Sequence, residues 1–137
     1  MSPDWSPDRK KIAYVSFENG LAEIFIQDLQ SGERDSIQAL GMTNSAPVWS
    51  PDGKSLALVV SFSGNPDIFL YSINNKRLIR LTNHYGIDTE PSWSPDSKKI
   101  IFTSDRSGSP QLYEINTKSK RKKRLTRDGN YLSLIHI

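Results

Sequence analysis

The sequence predicts an all-β protein, a β-propeller built of four-stranded blades, and three observations carry that prediction. Trp5-Ser-Pro-Asp8, Trp49-Ser-Pro-Asp52 and Trp93-Ser-Pro-Asp96 recur at intervals of 44 residues, a period typical of stacked or radial repeats. The register holds away from the tryptophans: Ile12, Leu56 and Ile100 align, as do Gly20, Gly64 and Gly108, and Ile37, Leu81 and Leu125. Glycine or proline also punctuates the chain about every ten residues, which disfavours helices.

The second copy shows the elements of one blade in order. Pro47-Val48-Trp49 is a short extended piece, ended by Ser50-Pro51-Asp52-Gly53. There proline fixes φ early and glycine accepts φ > 0. Ser55–Ser61 is β-branched and apolar and reads as a second strand, followed by a Gly64-Asn65-Pro66 break. Asp67–Ile73 reads as a third strand, Asn74–Lys76 as a tight turn and Arg77–Thr82 as a fourth strand. Four short strands per 44 residues are the content of one propeller blade. Antiparallel alternation then puts the Ser-Pro-Asp and Asn74-type turns on one face, called the bottom. The Gly64-type loops and the connections between blades share the top.

Three blades are expected over residues 3–131, at 3–46, 47–90 and 91–131. Residues 132–137 form a tail where the repeat fails. Closed propellers carry about four to eight blades, so the sequence reads as an internal fragment of a larger, incomplete propeller.

Composition sets the outer bounds. The 137 residues are 36% hydrophobic, enough for a core of ordinary globular type. No apolar run approaches the length that spans a bilayer, and no apolar stretch follows a basic start in the first residues given. The absence of cysteine excludes thiolate catalysis and thiolate metal sites. Net charge is +3, yet six basic residues crowd Lys118–Arg124; without them 12 basic side chains face 15 acidic ones.

The pattern Pro-x-Trp-Ser-Pro-Asp-Gly/Ser-Lys, then an Ile-Ala-Phe-like run, Gly, Ile-Phe/Tyr and Leu-Thr, resembles the TolB-type propeller repeat. Asp88–Ser97, Phe102–Tyr113 and Asn44–Gly53 carry the closest likeness. The resemblance implies a six-bladed propeller preceded by an α/β domain and a cleaved secretory signal, and a place in the periplasm. It also implies protein docking rather than catalysis, within the Tol–Pal system of outer-membrane integrity and cell division. The partners so implied are the peptidoglycan-associated lipoprotein Pal and other Tol components, with membrane association only indirect. Carried onto matching positions, the partner-binding residues are Thr43, Asn44 and Ala46 in one loop and Thr89 and Glu90 in the next.

Several features have competing readings. Trp5, Trp49 and Trp93 read as packing anchors between neighbouring blades rather than ligand platforms. Asp8, Asp52 and Asp96 read as turn carboxylates, not calcium ligands, since no second acidic residue stands at the required spacing. No metal or cofactor is expected. His84 has no Gly-x-Ser-x-Gly partner, and no enzymatic activity is expected. Glu90 stands where the preceding loop has Ala46, so the repeat does not require it. Lys118–Arg124 reads as a solvated turn, an anionic-surface contact or a nucleic-acid contact. The absence of interleaved aromatics argues against nucleic acid. The alternative function is a propeller accessory domain of a prolyl-oligopeptidase-type serine peptidase, and a third is a cytoplasmic scaffold.

Overall fold

The computed structural model describes residues 3–17, 23–37, 42–43, 47–62, 65–83 and 88–126. Every regular element among them is a strand, and the strands form three antiparallel sheets in chain order. The first contains β1 (Asp4–Trp5), β2 (Lys11–Ser16), β3 (Glu23–Asp28) and β4 (Arg34–Ile37), each paired with the next. In the second, β5 (Met42–Thr43) and β6 (Val48–Trp49) both pair with β7 (Ser55–Phe62), followed by β8 (Asn65–Ser72) and β9 (Arg77–Arg80). The third runs β10 (Asp88–Trp93), β11 (Lys99–Ser104), β12 (Gln111–Asn116) and β13 (Lys122–Arg124). These are three propeller blades.

The strand alternation explains why the middle blade is apolar throughout. In β7, Leu56, Leu58 and Val60 point one way and Ala57 and Val59 the other, and all five are buried. The first set joins Ala13, Val15, Ile24, Ile26 and Ile37 of the first blade in one cluster. The second set joins Ile100, Phe102, Tyr113 and Ile115 of the third blade in another. The core therefore lies in the two seams between blades rather than within any one sheet.

The tryptophans mark these seams. Trp49 donates its indole N–H to the Asp4 carbonyl at 2.9 Å, and Trp93 donates to the Val48 carbonyl at 3.0 Å. Each ring thus reaches back 45 residues to the preceding blade. Trp49 is 6% exposed, but Trp5 is 53% exposed. The expectation that all three are buried anchors is corrected at Trp5, because the described residues hold no blade for it to reach.

Two strand ends also differ from the sequence expectation. Asn65 and Pro66 belong to β8 instead of a break, with Pro66 opposite Ser61; proline is tolerated near the start of a strand. At the other end, β9 stops at Arg80, short of Thr82. The Thr82 hydroxyl, not its backbone, takes the Ile68 N–H at 2.9 Å.

Candidate functional site

The bottom turns are one structure written three times. Ser6, Ser50 and Ser94 donate their hydroxyls to Asp8, Asp52 and Asp96 at 2.7, 2.6 and 2.6 Å. Each carboxylate also accepts the N–H of Lys10, Lys54 or Lys98, at 2.9–3.0 Å. The same serine oxygens accept the N–H of Lys11, Ser55 and Lys99. Arg9, Gly53 and Ser97, at one repeat position, all take positive φ. The Ser6 hydroxyl and, second, the Lys10 amide hold the Asp8 carboxyl below its ordinary value; Ser94 and Lys98 do the same for Asp96. These carboxylates are committed to closing a turn, which bears out their reading as turn groups.

At the top ends, two blades share a latch. Thr82 Oγ1 takes the Ile68 N–H and donates to buried Asp67 at 3.2 Å; Thr126 Oγ1 takes the Leu112 N–H and donates to Gln111 at 2.5 Å. Arg80 and Arg124 each donate Nε to the carbonyl of the latch threonine, at 3.1 and 2.6 Å. Arg80 also pairs with Asp67, where the third blade has neutral Gln111.

The third blade adds a pair that the sequence of the second does not repeat. Arg106 Nη2 pairs with Asp88 Oδ2 at 2.7 Å, with Asp88 fully buried and the Arg106 side chain 13% exposed. Arg106 Nε also donates to Ser104 Oγ at 3.0 Å, and its guanidinium lies over Phe102 and Tyr113. Among the described residues Asp88 Oδ1 has no partner. The repeat places Asn44 and Phe62 at these two positions. Sequence reading missed this pair, although departure from the repeat was a signal that could have found it.

Just beyond Asp88, β10 bulges. Thr89 faces Thr103 and Ser92 faces Ile101, so Glu90 and Pro91 together oppose Phe102 alone. Glu90 takes φ +56° and is exposed, and Thr89 is half-buried. Non-glycine residues seldom adopt that conformation, which costs about 1–2 kcal/mol. The sequence expectation of a loop here is therefore corrected to a bulged strand.

Of the other sequence-expected site residues, Thr43 lies in β5, with its backbone paired to Val60. Asn44 and Ala46 lie outside the described residues, as do His84 and the 132–137 tail. No group of three or more metal-ligating side chains is present among the described residues.

The comparisons with known proteins agree with this architecture. The model of the TolB beta propeller domain matches residues 1–136. The chain belongs to the TolB β-propeller family. The Tol-Pal system protein TolB of Alkalilimnicola ehrlichii is 56% identical over 46 residues, 34% of this chain and 11% of that protein. The crystal structure of TolB from Acinetobacter baumannii superposes with a TM-score of 0.81 at 48% identity, over 93% of this chain and 32% of that one. The chain thus spans about a third of that structure's length. An acylaminoacyl peptidase from Pyrococcus horikoshii shares the fold at 17% identity and a TM-score of 0.70, over 91% of this chain and 24% of that one. That likeness speaks for the propeller alone.

Proposed function

We propose that these blades form part of a protein-docking propeller of the Tol–Pal envelope system. It works in the periplasm with Pal and other Tol components, in support of outer-membrane integrity and cell division. The observation that carries this reading is the β10 bulge, which holds exposed Glu90 at φ +56° two residues after Asp88 of the buried Asp88–Arg106 pair. Membership of the TolB β-propeller family supports a place in the Tol–Pal system.

The chemistry expected of such a site is recognition without turnover. A backbone already set at positive φ loses little of its own freedom on docking. If Glu90 meets a cationic or N–H donor on Pal, desolvation strengthens that contact, and losing it leaves the donor unpaired. Thr89, Glu90, Thr43, Asn44 and Ala46 make up the proposed docking set.

Calorimetric titration of Pal into the full-length protein tests this. Glu90→Ala is expected to weaken binding about tenfold or more, with the melting temperature unchanged. Unaltered affinity would remove Glu90 from the interface and this reading with it.

A further inference from the structure

The third blade's bottom hairpin carries charge that its fold does not use. Asn116 Oδ1 accepts the N–H groups of Lys118 and Ser119 at 2.9 and 3.0 Å. Asp28 makes the same turn in the first blade, with Gln30 and Ser31. The turn also needs one left-handed residue, met by Gly32, Lys76 and Lys120 at φ +76°, +54° and +60°. Nothing else in the geometry calls for lysine. At the positions of Lys118, Arg121, Lys122 and Lys123, the second blade has Asn74, Arg77, Leu78 and Ile79, and the first has Gln30, Glu33, Arg34 and Asp35.

Lys118, Lys120, Arg121, Lys122 and Lys123 are all exposed, and among the described residues none has a carboxylate within ion-pair distance. Lys98 extends the patch. Its carbonyl accepts the Thr117 N–H at 3.0 Å and the Thr117 hydroxyl at 3.2 Å, so the two bottom turns are contiguous. The nearby acids are already engaged: Glu114 pairs with Lys99 at 3.0 Å, and Asp96 accepts from Ser94 and Lys98. Edge-strand protection accounts for charge on β13, but not for charge at 118, 120 and 121 in the turn.

We propose that this basic turn docks on a phosphate-bearing lipid surface, at the end of the third blade opposite the Thr89–Glu90 bulge. Lys98, Lys118, Lys120, Arg121, Lys122 and Lys123, with no carboxylate at ion-pair distance among the described residues, fit the negative potential of an anionic bilayer. The set is mostly lysine, a strongly hydrated point charge suited to diffuse phosphate fields. It includes no aromatic side chain on which a nucleic-acid base could stack. A direct contact of this kind adds to the indirect membrane association expected from the sequence.

Vesicle co-sedimentation of the full-length protein tests the proposal, using phosphatidylcholine vesicles with and without about one-third phosphatidylglycerol at about 0.05 M salt. Binding at least about tenfold stronger to the anionic vesicles, lost near 0.5 M salt, is expected. The Lys118→Glu/Lys120→Glu/Arg121→Glu variant is expected to lose that preference with an unchanged melting curve, while Glu90→Ala keeps it. Equal binding to both vesicles, or undiminished binding by the reversed-charge variant, overturns the proposal. So does suppression by inorganic phosphate at the vesicles' own phosphate concentration, which would assign the patch to single phosphates. Tighter binding to a single-stranded oligonucleotide than to the vesicles would assign it to nucleic acid.

Discussion

The bottom and top ends of these blades are made from the same repeat but obey different rules. At the bottom, serine, aspartate and a left-handed residue recur with hydrogen bonds that agree within 0.1 Å across three blades. At the top, among the described residues, a threonine latch occurs in two blades with Asp67 exchanged for Gln111, and the Asp88–Arg106 pair of the third blade is replaced by Asn44 and Phe62 at the same positions of the second. A feature the repeat copies is answering a need every blade shares, which is to turn a strand and seat the next one. A feature it declines to copy answers to something outside the blade. The basic hairpin at the bottom of the third blade follows the same logic: its turn geometry is common, its charge is not.

The largest test of this contrast is at the top. Arg106→Leu leaves buried Asp88 without its cation and is expected to cost about 3–5 kcal/mol. Thermal unfolding of the full-length protein reads this directly. Adding Asp88→Asn is expected to restore most of the loss, since the penalty belongs to the uncompensated charge. No recovery would mean that Arg106 acts mainly by packing on Phe102 and Tyr113.

At the bottom a smaller effect is expected. Ser50 is buried, donating to Asp52 while accepting the Ser55 N–H at 3.1 Å. Ser50→Ala leaves that amide without its acceptor, a loss of about 1–3 kcal/mol. Ser6→Ala is expected to cost less, since among the described residues no side chain bridges its turn to the following one as Ser97 Oγ bridges to Asp52 N at 3.0 Å. Equal losses at both sites would show that each turn stands alone.

The smallest effect is a pH dependence shared by the turns. Hydrogen bonds to Ser6 and Lys10 lower the Asp8 pKa from 3.8, and those to Ser94 and Lys98 lower Asp96 likewise. Backbone bonds from Ser31 and Gln30 lower Asp28. A depressed folded-state pKa contributes stability above the unfolded value, and that contribution disappears as pH falls through the folded one. Stability is therefore expected to be flat with respect to these groups above about pH 5 and to decline below about pH 4. Asp96→Asn is expected to flatten part of that decline in melting curves taken across this range.

Much of the fold was legible because the repeat itself encodes it. The 44-residue period located the blades, and Ser-Pro-Asp located their turns. What a period cannot encode is position within the stack. Trp5 and Trp49 read alike but differ in burial, because burial depends on the neighbouring blade. Strand ends were less legible still, since Thr82 closes its strand through a hydroxyl that local propensity does not register. In the candidate site, Glu90 stood out as an exception to the repeat. Its positive φ did not, because the bulge arises from the pairing of β10 with β11. Asp88 and Arg106 are 18 residues apart, and only the register that sets Asp88 against Ser104 brings them together.

Amide hydrogen exchange of the full-length protein, with and without Pal, tests most directly whether the uncopied top end is the docking face. Binding is expected to slow exchange at Thr89, Glu90 and Ser92, leaving the Ser94–Lys98 and Thr117–Arg121 turns unchanged. Slowing at those bottom turns, with none at Thr89–Ser92, would contradict the account.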